Sequence, residues 1–152
     1  NTDDVFDFGT DQIIVVRLSG ETVNLDCLGD LPDADFDAAM VGFGIRNVTR
    51  MKTGFEEMYR VLKPGGKMMC LEFSKPVWPV FRWLYDFYSF YIMPFVGQLI
   101  AGNRKAYKHL PESIRMFPLP DELSELLEKI GFSQVTCRRL TNGIAVIHLA
   151  VK

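Results

Sequence analysis

The sequence predicts an α/β fold built on a mostly parallel sheet with an antiparallel C-terminal strand. Three observations lead to it. Apolar runs of strand length alternate with stretches of helical periodicity. Glycine and proline clusters mark the junctions between them. Finally, Asn142-Gly143 separates the last two apolar runs, and Asn-Gly is a strong short signal for an antiparallel hairpin.

Residues 36–44 (F-D-A-A-M-V-G-F-G) form a short apolar run closed by glycines, as expected of a strand buried on both faces. Over residues 53–62, Phe55, Met58, Tyr59 and Leu62 recur at the spacing of one helix face. Lys63-Pro64-Gly65-Gly66 is expected to stop that helix in a turn. Residues 67–73 (K-M-M-C-L-E-F) read as the next buried strand. Leu123, Leu126, Leu127 and Ile130 line a second helix, with Asp121 suited to its N-cap and Gly131 to its C-cap. Residues 132–140 and 144–151 are then two strands of one hairpin. The first 34 residues are irregular. Ile13-Ile14-Val15-Val16 and Val23-Asn24-Leu25 suit short strands about a Ser19-Gly20 turn, in a segment too short for parallel crossovers. The expectation is a single domain over residues 1–152, with residues 35–152 forming the core.

The totals narrow the function classes. With 17 Lys+Arg, 19 Asp+Glu and 48% hydrophobic residues, the chain is neither disordered nor a disulfide scaffold. A net charge of −2 leaves no footprint for nucleic acid. The charge is uneven, however: residues 1–40 carry ten acids and one base, and the remainder is mildly basic. Cys27, Cys70 and Cys137 are scattered, with no metal-ligand spacing, and read as reduced thiols of a cytoplasmic protein. The acidic opening Asn1-Thr2-Asp3-Asp4 is unlike a secretory signal.

The run R-V-L-K-P-G-G at residues 60–66, followed by L-E-F-S at residues 71–74, resembles the signature of the ubiquinone/menaquinone biosynthesis C-methyltransferases. G-F-G-I-R-N-V at residues 42–48, Y-K-H-L-P-E-S-I-R-M-F-P at residues 107–118 and L-T-N-G at residues 140–143 are similar to further segments of that family. The resemblance covers about residues 22–152. It implies a Rossmann-like methyltransferase sheet, S-adenosylmethionine as cofactor, and C-methylation of a polyprenylated quinol, either a demethylmenaquinol or a methoxy-polyprenyl-benzoquinol. It is compatible with peripheral membrane contact and with a homodimer. The departure is at the front: the D-x-x-x-G-x-G loop and the ribose-binding acid of this enzyme class are missing, so the N-terminal part is incomplete. Abrupt splices at several sites suit missing loops better than one deletion. If the chain were whole as it stands, it should bind the cofactor weakly or not at all.

On this resemblance the cofactor contacts are Gly42, Phe43 and Gly44, with Asp30 in the shortened G-D-L-P loop beside the adenine. Arg46 and Asn47 follow the end of a central strand, where open α/β sheets place ligands, and are the catalytic candidates. A guanidinium is effectively never a base, so Arg46 is expected to stabilise a phenolate or hold a water, with Asn47 orienting that oxygen; the alternative is a loop arginine that caps carbonyls or pairs with an acid. Tyr107, His109, Glu112 and Arg115 are assigned to the substrate pocket, with a Glu112–Arg115 ion pair expected to shape it and His109 a candidate proton shuttle. Glu72 and Ser74 end a strand at the same sheet edge as Arg46, and Glu72 reads equally as a supporting carboxylate or a buried structural one. His148, inside an apolar strand, reads as structural. No metal site is expected.

The aromatic stretch at residues 77–100 holds Arg82, Asp86, Pro94 and Gly97, which argue against a membrane span. It reads as two short helices broken at Pro94, a greasy lid over the sheet: either an ordinary core-covering insertion or a channel for a polyprenyl tail that rests on a membrane surface with its aromatics at the interface. Two other functions compete with quinol methylation: a methyltransferase for another lipid acceptor, and a non-catalytic lipid-binding or assembly module.

Overall fold

A computed structural model describes residues 31–48, 50–92, 95 and 113–152, together with the backbone of Ile13–Val16 and Thr22–Asn24. Ser19-Gly20, Asp30, Pro94, Tyr107, His109 and Glu112 lie outside the described residues.

Six strands form one sheet: β1 (Ile13–Val16), β2 (Thr22–Asn24), β3 (Phe36–Gly42), β4 (Leu62–Phe73), β5 (Ser133–Leu140) and β6 (Ala145–Val151). Their order is β2-β1-β3-β4-β6-β5. Strands β3 and β4 pair in parallel through the crossover helix α1 (Met51–Val61). Strand β6 runs antiparallel between β4 and β5, as the Asn-Gly turn predicts. In that turn Thr141 (φ 45°), Asn142 (φ 55°) and Gly143 (φ 90°) all take positive φ. Four strands share one direction and two oppose it, so β3–β4 is the parallel pair and the other four neighbouring pairs are antiparallel: the sheet is mixed, partly parallel rather than mostly so. The second reversal is β1, antiparallel to both β2 and β3. Its direction follows from chain length, because a short connection can return a strand only antiparallel, whereas a parallel neighbour needs a crossover.

Two local expectations are corrected. Lys63-Pro64-Gly65-Gly66 is not a turn that precedes the strand, because β4 begins at Leu62 and carries these residues within it. Helix α1 still ends where proline demands, at Val61. Gly65 (φ 80°) then bulges the strand, and the backbone of Gly65 and Gly66 pairs with Lys152 instead of β3. The second correction concerns α3 (Pro120–Ile130). Its N-cap is Leu119, not Asp121, and Pro120 takes the first helical position. The Glu122 carboxylate accepts the Leu119 N–H at 2.7 Å, supplying the stabilising acid of the first turn.

The core lies between the sheet and α1 and α3. Phe36, Ala39 and Val41 of β3, Leu62, Met68 and Cys70 of β4, Phe55, Met58 and Val61 of α1, and Leu123 and Leu127 of α3 are buried together. Gly131 ends α3 at φ 121°, donating its N–H to the Glu128 carbonyl. A Cβ there would lie 3.1 Å from the Tyr59 hydroxyl, and that ring is already set edge-on against Phe132. Gly131→Ala should therefore destabilise the fold by about 1–3 kcal/mol through backbone strain. A urea midpoint equal to that of the unmodified protein would show that the turn relaxes without cost.

Helix α2 (Pro79–Phe87) continues into a π-helical turn, Tyr88–Ile92. The helical path thus changes at Tyr88 in the described residues. No residue of α2 is buried, and Trp78, Val80, Trp83, Leu84, Phe87 and Tyr91 stand exposed. Among the described residues α2 is therefore not the sheet-covering lid that the sequence suggests. Its aromatics stack on one another instead: Trp83 on Phe87 at 6.0 Å and Phe87 on Tyr91 at 5.4 Å between ring centroids. These positions are four apart and share one helix face, so ring meets ring along the helix.

Candidate functional site at the carboxyl ends of β3 and β4

The parallel pair β3–β4 delivers two short segments to the same sheet edge. After Gly42 the backbone turns sharply. Phe43 is held at φ 55° by its N–H bond to the Leu71 carbonyl at 2.8 Å. Of the G-F-G run, the phenylalanine and not either glycine takes the left-handed conformation, an outlier for a bulky residue. Gly42 has no heavy atom within 4 Å of where a Cβ would sit, so its backbone borders open space. Room beside the half-buried backbone of Gly42 at a strand's carboxyl end fits the role that the resemblance gives it toward a cofactor, whereas Gly44 is buried.

One 3-10 turn, Ile45–Asn47, follows. Ile45 is fully buried and anchors the turn. That anchor divides its two polar neighbours. Asn47 is exposed, while the Arg46 side chain is only 9% exposed. Arg46 donates from one terminal nitrogen to the Phe43 carbonyl and to Glu72 Oε2, the latter at 2.7 Å. Its guanidinium also lies 5.4 Å from the centroid of Phe73, which packs on Phe43 at 4.4 Å. Glu72, 2% exposed, accepts the Arg46 backbone N–H on Oε1 and the Phe73 N–H on Oε2, each at 3.3 Å. The Arg46 Nε–H is the one buried side-chain polar atom without a partner among the described residues.

The alternative reading of Arg46, an arginine that caps a carbonyl and pairs with an acid, matches its bonds to the Phe43 carbonyl and Glu72; sequence reasoning does not name Glu72 as that acid, although a signal for it exists. A carboxylate inside M-M-C-L-E-F must be buried, and a buried charge demands a partner. Arg115 is exposed and pairs with Asp86 of α2 at 3.2 Å, with its guanidinium 4.1 Å from the Phe90 centroid. Its expected partner Glu112 lies outside the described residues. Ser74 and Lys75, just beyond Glu72 and Phe73, line a small pocket with Tyr85, Asp86, Phe90 and Arg115. A second groove shares Asp86, Phe90 and Arg115 with it and is lined further by Trp83, Phe87 and Tyr91. Burial pushes the Tyr85 hydroxyl pKa up, while its bond with Ser89 opposes that rise.

His148, on β6, lies opposite Cys70 of β4 and Cys137 of β5 and donates from Nε2 to the Pro120 carbonyl at 2.9 Å. Burial depresses its pKa below 6.5, opposed by the Pro120 bond; Arg139 lowers it further and Asp121 raises it. The unfolded chain therefore binds a proton that the folded chain excludes. Stability is full above about pH 6.5 and falls as the pH drops below it. His148→Gln should lower the urea midpoint at neutral pH and flatten its loss between pH 7 and 5.5. An unchanged slope would assign that loss to other groups. Burial, then the Glu72 charge, push the Cys70 thiol pKa well up, which suits an inert core thiol. Among the described residues no cluster of His, Cys, Asp or Glu could hold a metal ion, and no helix is long and apolar enough to cross a membrane.

The mixed sheet, with its parallel β3–β4 pair and a glycine-flanked loop at their carboxyl ends, is that of the S-adenosylmethionine-dependent methyltransferase fold class. A methyltransferase of that kind from Archaeoglobus fulgidus superposes with a TM-score of 0.56 at 15% identity, covering 82% of this chain and 63% of the other. A phosphoethanolamine N-methyltransferase from Haemonchus contortus gives 0.52 at 13%, covering 81% and 34%. These likenesses establish the fold. The chain belongs to the ubiE/COQ5 methyltransferase family, whose model matches residues 8–152. It is 50% identical over 118 residues to a ubiquinone/menaquinone biosynthesis C-methyltransferase of Methylobacterium nodulans, covering 78% of this chain and 47% of that protein. It is 48% identical over 120 residues to a mitochondrial 2-methoxy-6-polyprenyl-1,4-benzoquinol methylase of Bos taurus, covering 79% and 36%. A Drosophila melanogaster protein of the same name is 43% identical over 143 residues, covering 94% and 47%. The chain thus spans about half or less of the length of these relatives.

Proposed function

We propose that this chain is the core and substrate side of an enzyme that methylates a ring carbon of a polyprenylated quinol. The observation that carries the reading is Arg46: a buried guanidinium at the carboxyl end of a central parallel strand, with its Nε–H unpartnered. In the intact enzyme S-adenosylmethionine would supply a methyl group already activated on a sulfonium, with Gly42, Phe43 and Gly44 as the described residues that would hold it. The protein's remaining task is to align the ring and favour its ionised hydroxyl. Ionising the hydroxyl ortho to the reacting carbon makes that carbon nucleophilic. Arg46 donates to the resulting oxyanion or to a water that receives the proton, and Asn47 orients that oxygen from the exposed side of the turn. The ring proton lost after the new C–C bond forms restores aromaticity and leaves through the same solvent. Phe43 and Phe73 wall the site with apolar surface, which strengthens a hydrogen bond to the oxyanion.

The aromatic groove of α2, lined by Trp83, Phe87, Phe90 and Tyr91 with the Arg115–Asp86 pair, suits an apolar tail. Aromatics of this kind lodge at a lipid interface with their apolar bodies buried. Peripheral membrane contact is thus part of the same reading. The test is methyl transfer by the full-length protein to short-tailed demethylmenaquinol and methoxy-benzoquinol acceptors, followed by mass. Transfer to either ring supports the proposal, and the preferred ring names the substrate. Full cofactor binding with no transfer to either would instead support a methyltransferase for another lipid. No cofactor binding at all would support a non-catalytic lipid-binding module.

A further inference from the structure

We propose that Glu72 is the positioning residue for Arg46, and that its carboxylate sets how readily a quinol bound beside Arg46 ionises. The inference rests on the reading of Arg46 above. Two segments 26 residues apart in sequence meet here, and the pair is nearly sealed from water, with side chains 9% and 2% exposed. Glu72 grips the arginine twice, accepting its backbone N–H on one oxygen and its guanidinium on the other. The Phe73 N–H fixes the carboxylate in turn. With the Phe43 carbonyl as second acceptor, one terminal nitrogen is committed and the guanidinium plane is set. The Nε–H is left over, buried and without an acceptor. A buried donor without a partner is rare in folded proteins and calls for an explanation. A substrate oxygen or its attendant water is the acceptor that such a donor lacks.

The charge arithmetic gives the proposal its distinctive consequence. On this face of the sheet Glu72 has Cys70 two positions along its own strand and His148 opposite Cys70 on β6. Both are uncharged at neutral pH, since burial pushes the thiol up and the imidazole down. Arg46 and Glu72 thus make a neutral pair. A phenolate beside it is stabilised by one directed N–H and not by a net positive charge. Removing the carboxylate's charge changes that. Glu72→Gln keeps the shape of the side chain but leaves the guanidinium uncompensated, so a nearby phenol should ionise more easily while Arg46 is held less firmly. Turnover and phenol acidity then move in opposite senses, which a merely structural residue would not produce.

The experiment uses full-length protein and a redox-inert, short-tailed methoxyphenol as probe, with ionisation of the bound phenol followed by ultraviolet absorbance, apart from turnover. In Glu72→Gln the bound phenol's pKa should fall by about one unit, as when a carboxylate close to a titrating group is neutralised. Turnover should fall about 10- to 100-fold, the range seen at metal sites when a group that orients a working residue is lost. Glu72→Asp keeps the charge and covers the case in which the glutamine variant does not fold. It should lose turnover with the phenol's pKa unchanged. An unchanged phenol pKa in Glu72→Gln, or a fall in Glu72→Asp, overturns the proposal. Arg46→Lys run alongside separates the two levels. If it leaves turnover intact, the reading of Arg46 fails; if it slows turnover while Glu72→Gln leaves the phenol unmoved, only the role of Glu72 fails.

Discussion

Arg46→Lys in the full-length protein is expected to lower methyl transfer by about 10²-fold or more while leaving the fold and cofactor affinity nearly unchanged. Lysine keeps the positive charge and can still meet Glu72. It has no planar fork, and the present arrangement uses that fork: one terminal nitrogen serves the Phe43 carbonyl and Glu72 Oε2, and Nε stays free for a further acceptor. A single ammonium on a flexible stem cannot hold the first two bonds and present a third donor in fixed geometry. The expected loss is on the scale of removing one preorganised donor to developing charge. Cofactor affinity should hold because the candidate contacts at Gly42–Gly44 are backbone ones. Asn47→Ala, at an exposed position of the same turn, should behave similarly but more mildly. The measurement is turnover with a short-tailed demethylquinol, with cofactor binding followed by calorimetry. Near-normal turnover in Arg46→Lys would remove Arg46 from the mechanism and turn attention to His109.

Phe55→Ala should cost about 3–5 kcal/mol of stability, the range for emptying a buried aromatic site. Phe55 is fully buried on α1, in the cluster that joins α1 to β4 and α3. Its neighbours Met58 and Val61 come from the same helix face and cannot swing into the void without leaving their own contacts with the sheet. Since α1 is the crossover that makes β3 and β4 parallel, loosening it also loosens the sheet edge that carries Arg46 and Glu72. Activity should therefore decline with the folded fraction and not before it. Val80→Ser on α2, at a side chain 75% exposed, is the matched control and should change stability by about 0.5 kcal/mol or less. Chemical denaturation of both variants checks the pair. A loss below about 1 kcal/mol for Phe55→Ala would mean that the core between α1 and the sheet repacks freely.

Features governed by local rules are legible in the amino-acid sequence. The period of Phe55, Met58, Tyr59 and Leu62 predicts α1 to within two residues at its start and one at its end, because burial of one face needs only a repeat near 3.6. Asn142-Gly143 predicts the β5–β6 pairing, because so few residue pairs accept positive φ in succession. Gly131 is the C-cap that its place after Ile130 predicts, for the same backbone reason. Where the forces are only slightly less local, the sequence misleads. Pro64 and two glycines look like a turn, yet the Lys152 backbone pairs with Gly65 and Gly66 and keeps the segment in the strand. Asp121 looks like a cap, but Pro120 suits the first helical position and moves the start of α3 toward the N-terminus.

The site divides along the same line. By itself the sequence determined which residues reach the carboxyl edge of the β3–β4 pair: Gly42 ends β3, Phe43, Gly44, Arg46 and Asn47 follow it, and Glu72 and Ser74 lie at the end of β4. It did so because strand ends and glycine-bounded loops are local events, and because the family motifs sit on them. Only the tertiary structure decided where those side chains go and what they meet. It turned Arg46 inward and left Asn47 outside, because Ile45 beside them is drawn into the core. It joined Arg46 to Glu72 across 26 residues and Arg115 to Asp86, pairings that no spacing rule encodes. It left the aromatics of α2 stacked on one another in place of the sheet. The physical reason is common to all three. Period, capping and turn chemistry are settled by neighbours along the chain, whereas a buried charge or an apolar face takes its partner from whatever the packed sheet brings within a few ångströms.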